Sequence, residues 1–462
     1  MKRRRAAAPR KGNPLGYARR LETGHDKGRC GGEEVESSLE EVQAQAKRLA
    51  ALLKDASIVV VHTGAGLSTA AGIPDFRGKR GVWTLEEQGE QLPEYEPCWD
   101  NAMPTLGHMA LVGLVKEGIV DAIISQNVDG LHLRSGISRD KLCELHGNLF
   151  MELCSGCKRE VRRTADVGGV GFRPTGRRCS HCGEALVDVL LDWEDELRDY
   201  EQAVDLSESR CREDGGVALC LGTSLQISPS KDLPSKAHTM AIVNLQKTPK
   251  DRRASIVVRA KIDMVMRLVM QELGIPIPVY RREEMLVVSH SCCRKKEGRC
   301  HWAIAVGDAA DGARCGFVSS MTVSFPGTRF AEARVTRGAR VYGHTTTAMH
   351  EISTPPPTNI CHVSSKAGDA SVILHRTPAP PLSAQRHGHG VNLALLASKY
   401  QQPGNEAEAS NGGVIAAVLT LHFVSAPGHA PPDPHTVEYR MDMSRAQGSE
   451  EVSVFLGEML YS

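Results

Sequence analysis

Three observations in the 462-residue sequence predict an α/β fold: a helix-covered parallel sheet, a small module inserted into it and an all-β region after it. First, short apolar runs (Ser57–Val61, Asp121–Ser125, Val217–Leu221 and Met240–Leu245) alternate with helical stretches. Continuous apolar strands between helices belong to a sheet buried on both faces. Second, the first strand runs into Thr63-Gly64-Ala65-Gly66 and then a helix, the opening of a nucleotide-binding, Rossmann-like unit. Third, two Cys-x-x-Cys pairs interrupt the alternation between residues 150 and 190.

Composition narrows the classes. Lys+Arg is 56 and Asp+Glu is 55, a net charge of +1, which excludes a generally basic nucleic-acid coat or an acidic tail protein. Apolar residues are 41% and charged residues 24%, so whole-chain disorder is excluded. Aromatics are only 4%, and the core must be built mainly from Ala, Val, Leu and Ile. No apolar run approaches the ~18–20 residues of a membrane helix, so no membrane partner is expected. Fourteen cysteines are too sparse for a disulfide scaffold, and no apolar stretch follows the basic N-terminus as in a secretory signal.

In chain order, residues 1–37 are expected to be a basic disordered tail. Lys2, Arg3, Arg4, Arg5, Arg10, Lys11, Arg19 and Arg20 crowd its first 20 positions without an acid. Such a cluster reads as a nuclear address or a contact to chromatin or nucleic acid; a solvated tail or an Arg-rich presequence are the alternatives. Residues 38–280 form the compact unit. Leu39, Val42, Ala46, Leu49, Leu52 and Leu53 recur at helical spacing, Pro104–Glu117 is another helix, and Ile262–Leu273 is a last amphipathic helix stopped by Gly274. Residues 281–300 read as a linker. Residues 301–462 read as a small all-β domain with strands at Trp302–Val306, Phe317–Phe325, Glu332–Tyr342, Ser371–His375, Val414–Val424, Thr436–Met441 and Val452–Leu456, and long loops at 353–366 and 377–413. In and near this linker, His290, Cys292, Cys293, Cys300 and His301 suit a basic loop of reduced thiols, with a second metal site as the alternative.

Seven pieces carry chemistry. Gly64-Ala65-Gly66-Leu67-Ser68-Thr69 lets backbone approach a phosphate, although the third glycine of the dinucleotide fingerprint is missing and a plain strand–helix turn also fits. Asp75-Phe76-Arg77-Gly78 and Gly81-Val82-Trp83 form an ordered loop in which Phe76 can cover a flat ring and Arg77 can meet a phosphate. Gln126-Asn127-Val128-Asp129 follows a strand, where open α/β sheets bind ligands. His146 supplies the side chain suited to proton transfer near neutral pH. Cys154, Cys157, Cys179 and Cys182 make a tetrahedral zinc signature; four thiolates leave no open position, so the zinc is structural. Gly222-Thr223-Ser224 and Val243-Asn244-Leu245-Gln246 place small polar groups at two more strand ends.

In this order the seven pieces resemble the sirtuins, NAD-dependent protein-lysine deacylases, over roughly residues 39–280. Gly78-x-x-Gly81-Val82-Trp83, His132-Leu133-Arg134-Ser135-Gly136, Asp192-Trp193-Glu194-Asp195 and Thr248-Pro249-Lys250-Asp251 are similar to the class IV nuclear branch that includes sirtuin six and sirtuin seven. The resemblance implies NAD and zinc as cofactors. The pyrophosphate would lie near Gly64, Ala65, Gly66 and Thr69, with Phe76, Arg77 and Trp83 in the cofactor loop. Gln126, Asn127 and Asp129 would face the nicotinamide and its ribose. Gly222, Ser224, Asn244, Gln246 and Ile262 would bind the adenosine half, and His146 would act as general base. It further implies acylated lysine on histones or other nuclear proteins as substrate, a nuclear or nucleolar location, and nicotinamide and O-acyl-ADP-ribose as products. Mono-ADP-ribosyl transfer from the same cofactor is the enzymatic alternative. A non-catalytic, zinc-containing chromatin adaptor is the alternative from another class.

Overall fold

The computed structural model describes residues 17, 18, 20–90 and 99–294, the later strands named below, and Tyr461; side chains are described to Val288 and at Leu419, Leu421 and Tyr461. The chain divides into two compact units. One holds residues 1–162, 166–280 and 458–462; the other holds 163–165 and 281–457.

The first unit is built on α1 (Leu39–Asp55), β1 (Ile58–Thr63), α2 (Val82–Glu87), α3 (Leu106–Lys116), β2 (Ala122–Ser125), α4 (Leu131–Ser135) and β3 (Leu142–Glu144), continuing after an insertion with α5 (Tyr200–Val204), β8 (Gly216–Leu221), β9 (Thr239–Val243), β10 (Ile256–Val258) and α6 (Ile262–Leu273). Its strands form one parallel sheet in the order β10-β9-β8-β1-β2-β3. Every residue of β1, β2, β3 and β8 is buried, because the branched side chains pack against helices on both faces. Helix α1 starts where Ser38 Oγ accepts the Glu41 N–H at 3.2 Å, and it buries Val42, Ala46, Leu49, Ala50 and Leu53. Helix α3 begins with a reciprocal cap between Thr105 and His108, and its Leu111 is fully buried. Helix α6 ends at Gly274, whose φ of +70° is the left-handed stop that glycine allows.

From β1 the chain moves outward to β2 and β3, then returns on the other side of β1 to β8, β9 and β10. Between β1 and β8 the order therefore reverses, and the connections leaving the two strands diverge. Such a switch point is where an open α/β sheet leaves a crevice at its strand ends.

The insertion is an antiparallel four-stranded sheet of β4 (Met151–Cys154), β5 (Glu160–Arg162), β6 (Pro174–Arg178) and β7 (Ala185–Asp188), in the order β5-β4-β7-β6.

The second unit is all-β. Strands β11 (Tyr280–Arg294), β12 (Cys300–Asp308), β13 (Val318–Ser324), β14 (Ala333–Thr336), β15 (Arg340–Gly343), β16 (Ile360–Ser364), β17 (Ser371–His375), β18 (Val391–Ala397), β19 (Val414–Phe423), β20 (His435–Asp442) and β21 (Gln447–Met459) form two sheets. One has the order β16-β17-β15-β18-β12-β11-β21 and the other β14-β13-β19-β20.

Several expectations change. Residues 281–294, expected as linker, are most of β11. The long loops expected at 353–366 and 377–413 contain β16 and β18. The helix expected after Gly66 is two short 3-10 turns, Ala65–Leu67 and Thr69–Ala71. The tail expected to be disordered is fixed from residue 20 onward: Arg20 pairs with Asp166, and Glu34 bridges to Gln246. The basic residues up to position 11 and Arg19 lie outside the described residues, as do the side chains of His290, Cys292, Cys293, Cys300 and His301. Among the described residues, no helix is long and apolar enough to cross a membrane.

Candidate functional site

At the switch point the two sides touch through glycine. A Cβ on Gly64 would lie 2.7 Å from the Gly222 carbonyl oxygen, and one on Gly66 would lie 2.8 Å from Gly222 Cα. Side chains are therefore excluded, and bare backbone forms the floor of a cavity of about 610 Å³ at the strand ends, with the N–H groups of Gly64, Gly66 and Gly222 donated to the carbonyls of Leu221, Gly222 and Val243. Ala65 and Thr69 stand on the 3-10 turns above this floor, and Ile262, at the start of α6, packs against Gly222.

Loop 75–84 forms one wall. Phe76 stacks tilted on Trp83 with centroids 4.7 Å apart, and the Arg77 guanidinium sits 4.5 Å over the same indole. Arg77 Nε donates to the Lys27 carbonyl at 2.7 Å and Nη1 to Ser224 Oγ at 3.4 Å, while Nη2 is buried without a hydrogen-bond partner. Burial pushes this guanidinium down to about 10, which still leaves it charged at neutral pH. A buried, unpartnered N–H on a cation beside a side-chain-free floor fits an anionic group such as a diphosphate.

The opposite end is polar and ordered. Asn127 spends both amide hydrogens, on the Gly64 carbonyl at 3.1 Å and Ser68 Oγ at 3.3 Å, which leaves Oδ1 as its acceptor toward the cavity. Gln126 Nε2 donates to Thr223 Oγ1 at 3.3 Å. His146 is half-buried on the cavity wall, and its Nδ1 lies 3.0 Å from the Gln126 carbonyl oxygen. A carbonyl only accepts, so Nδ1 carries the hydrogen and Nε2 keeps its lone pair. Burial, with a smaller contribution from the Arg77 charge, holds this imidazole down to about 4 despite the bond to Gln126. The ring is thus neutral across the neutral range.

Asp129 needs correction. It is 3% exposed and does not reach the cavity: its carboxylate accepts Ser68 Oγ at 2.6 Å and the Leu131 N–H at 2.8 Å. It anchors Ser68, which in turn accepts from Asn127, so it positions the wall from behind. Every other candidate (Gly64, Ala65, Gly66, Thr69, Phe76, Arg77, Trp83, Gln126, Asn127, His146, Gly222, Ser224, Asn244, Gln246 and Ile262) lines the cavity. The sequence reading missed Tyr17, Leu21 and Glu34, which line the same cavity from the N-terminal segment. It also missed Trp193 as a stacking partner of Trp83 at 5.5 Å and of His25 at 5.3 Å. A lone aromatic within a basic tail carries no periodic signal that would have found Tyr17.

The four cysteines meet in the inserted module. Their Sγ atoms all lie within 4.8 Å of one another, with Cys154 to Cys182 at 3.3 Å and Cys157 to Cys179 at 3.7 Å. Zn–S bonds of ~2.3 Å in a tetrahedron put sulfurs about 3.8 Å apart, so the set fits a structural zinc. Among the described residues, no other cluster of His, Cys, Asp and Glu has this geometry.

Comparison with known proteins agrees with this layout. The model of the Sir2 family matches residues 91–229. The Arabidopsis thaliana NAD-dependent protein deacetylase SRT1 is 46% identical over 59% of this chain, and the chain spans 59% of that relative's length. Human NAD-dependent protein deacetylase sirtuin-7 is 40% identical over 54% of this chain and 65% of its own length. The Drosophila melanogaster NAD-dependent protein deacetylase Sirt6 is 41% identical over 57% of this chain and 86% of its own length. With a relative matched at that identity across most of its length, the chain belongs to the Sir2 family, the sirtuins.

Proposed function

We propose that this protein removes acyl groups from protein lysine in an NAD-dependent reaction that yields nicotinamide and O-acyl-ADP-ribose, with zinc bracing the inserted module. The observation that carries the reading is His146: a neutral imidazole, its Nδ1 held by the Gln126 carbonyl, on the wall of a glycine-floored cavity. Bound NAD supplies a glycosidic bond to nicotinamide and a ribose carbon open to the acyl oxygen. Nε2 of His146, its lone pair free, would accept a proton from a ribose hydroxyl and so act as the general base. Asn127 Oδ1 accepts from a ribose hydroxyl and fixes the ring. Arg77 Nη2 would donate to the diphosphate, for which the side-chain-free floor leaves room, with Phe76 packed on Trp83 in the same wall. Relatives named as NAD-dependent protein deacetylases support the same assignment. The basic residues before position 20 support lysines of histones or other nuclear proteins as substrates, and a nuclear location.

Mass spectrometry of an acetyl-lysine histone peptide, with and without NAD, tests the reading. Loss of the acetyl mass only with NAD supports it. A gain of ADP-ribose on the protein favours transferase chemistry, and no change favours an adaptor. His146→Ala should lower turnover by about 10²–10⁴-fold with the thermal transition kept. Because burial holds His146 at about 4, the wild-type rate should stay flat from pH 8 to about 5 and fall as pH drops through 4. A fall beginning near pH 7 would contradict the assignment of His146 as base.

A further inference from the structure

The N-terminal segment supplies the cavity with a charged group that no motif predicts. Residue Glu34 bridges antiparallel to Gln246, three residues beyond the end of β9, and Glu34 Oε1 accepts the Lys79 N–H at 3.2 Å. Its exposed carboxylate lines the cavity. Strand order sets the distance to the reacting end. His146 follows β3 and Gln246 follows β9, four strand steps apart. At ~4.8 Å per step this is about 19 Å, the reach of an extended dinucleotide. With its glycosidic bond at His146 and its diphosphate on the Gly64–Gly222 floor, a dinucleotide must place its second ribose against Gln246 and Glu34.

That end is built to accept hydrogen bonds rather than to bind an anion. Gln246 Nε2 spends its hydrogens on the Gly32 carbonyl at 2.7 Å and the Arg77 carbonyl at 3.1 Å, leaving Oε1 as acceptor. The nearby cation, Arg259, is committed: Nη1 donates to the Asn244 and Gln246 carbonyls at 2.9 and 2.8 Å, and Nη2 pairs with Asp251. Lys261 and Asp263, on the same wall, carry opposite charges. Among the described residues the Glu34 carboxylate makes no ion pair; its one hydrogen bond is from the neutral Lys79 N–H. A ribose diol donates to Gln246 Oε1 and to the Glu34 carboxylate, whereas a 2′-phosphate meets two acceptors and a like charge.

The geometry points to Glu34 as the residue that selects a nucleotide with a free adenosine 2′-hydroxyl over one bearing a 2′-phosphate. The inference rests on the dinucleotide orientation of the proposed function, but not on deacylation itself. Its test is calorimetric titration of the full-length zinc-loaded protein with NAD and with NADP, for wild type, Glu34→Gln and Glu34→Lys. Glu34→Gln keeps the acceptor for the Lys79 N–H and removes only the charge. The preference for NAD should narrow roughly tenfold in Glu34→Gln and further in Glu34→Lys, through tighter NADP binding. An unchanged ratio in both variants overturns the inference, as does a wild type that binds neither nucleotide. If the ratio responds but acetyl peptide is not turned over, Glu34 keeps its role and the deacylase reading falls.

Discussion

The parallel sheet and the inserted cysteine module belong to one unit yet are held together by different forces. In β1 and β8 every residue is buried: α1, α3 and α6 cover one face with a core that includes Leu49, Leu111, Ile123, Leu219 and Val265, and a second cluster with Ile58, Val60, Leu206 and Ile242 covers the other. In the module, β6 alternates exposed and half-buried residues, β5 has no buried residue, and the apolar cluster is Cys154, Cys179 and Leu186 with Val161 against it. A sheet with so little apolar burial cannot offset its ordering entropy alone. The sheet stands on the hydrophobic effect, and the module stands on its four sulfurs.

Breaking the cysteine set should have the largest effect. A structural zinc is worth on the order of 10 kcal/mol to a small module. Cys179→Ala should lose the metal by elemental analysis and open residues 151–188 to limited proteolysis, while the main calorimetric transition of the sheet persists. Full zinc content in that variant would show that apolar packing holds the module after all. The converse substitution sharpens the contrast. Leu111 is fully buried in α3, so Leu111→Ala should cost about 2–5 kcal/mol in denaturant unfolding and leave zinc content unchanged. Gly66→Ala should cost less, about 1–3 kcal/mol, because its Cβ must displace the Gly222 backbone. Its mark is instead a loss of nucleotide affinity larger than the loss of stability, since the displaced backbone is the cavity floor.

What could be read from the amino acids follows the range of the forces involved. Helix α6 was legible to the residue, because a one-sided apolar stripe and a glycine stop are local. The strands of the parallel sheet were placed within one or two residues wherever apolar runs met turn signals, and the cysteine spacing announced its cluster. The N-terminal segment was illegible for the opposite reason. Its anchors are main-chain bonds to distant side chains: Gln226 Oε1 accepts the Arg29 N–H across 197 positions, and Gln246 reaches the Gly32 carbonyl across 214. Such bonds need no pattern in the segment itself. Asp129 misled because a polar strand-end sequence looks the same whether its carboxylate faces a ligand or, as here, a serine behind the wall. In the all-β unit, β11 was missed within the expected linker, and β16 and β18 were missed because they are embedded in Pro-, Ser- and His-rich sequence that reads as loop.

The ordered N-terminal segment is itself part of the pocket wall: Tyr17, Leu21 and Glu34 line the cavity, while Arg29 and Gly32 tie the segment to Gln226 and Gln246. Cutting the chain between Glu34 and α1 would therefore unroof the pocket and leave the apolar core of the parallel sheet intact.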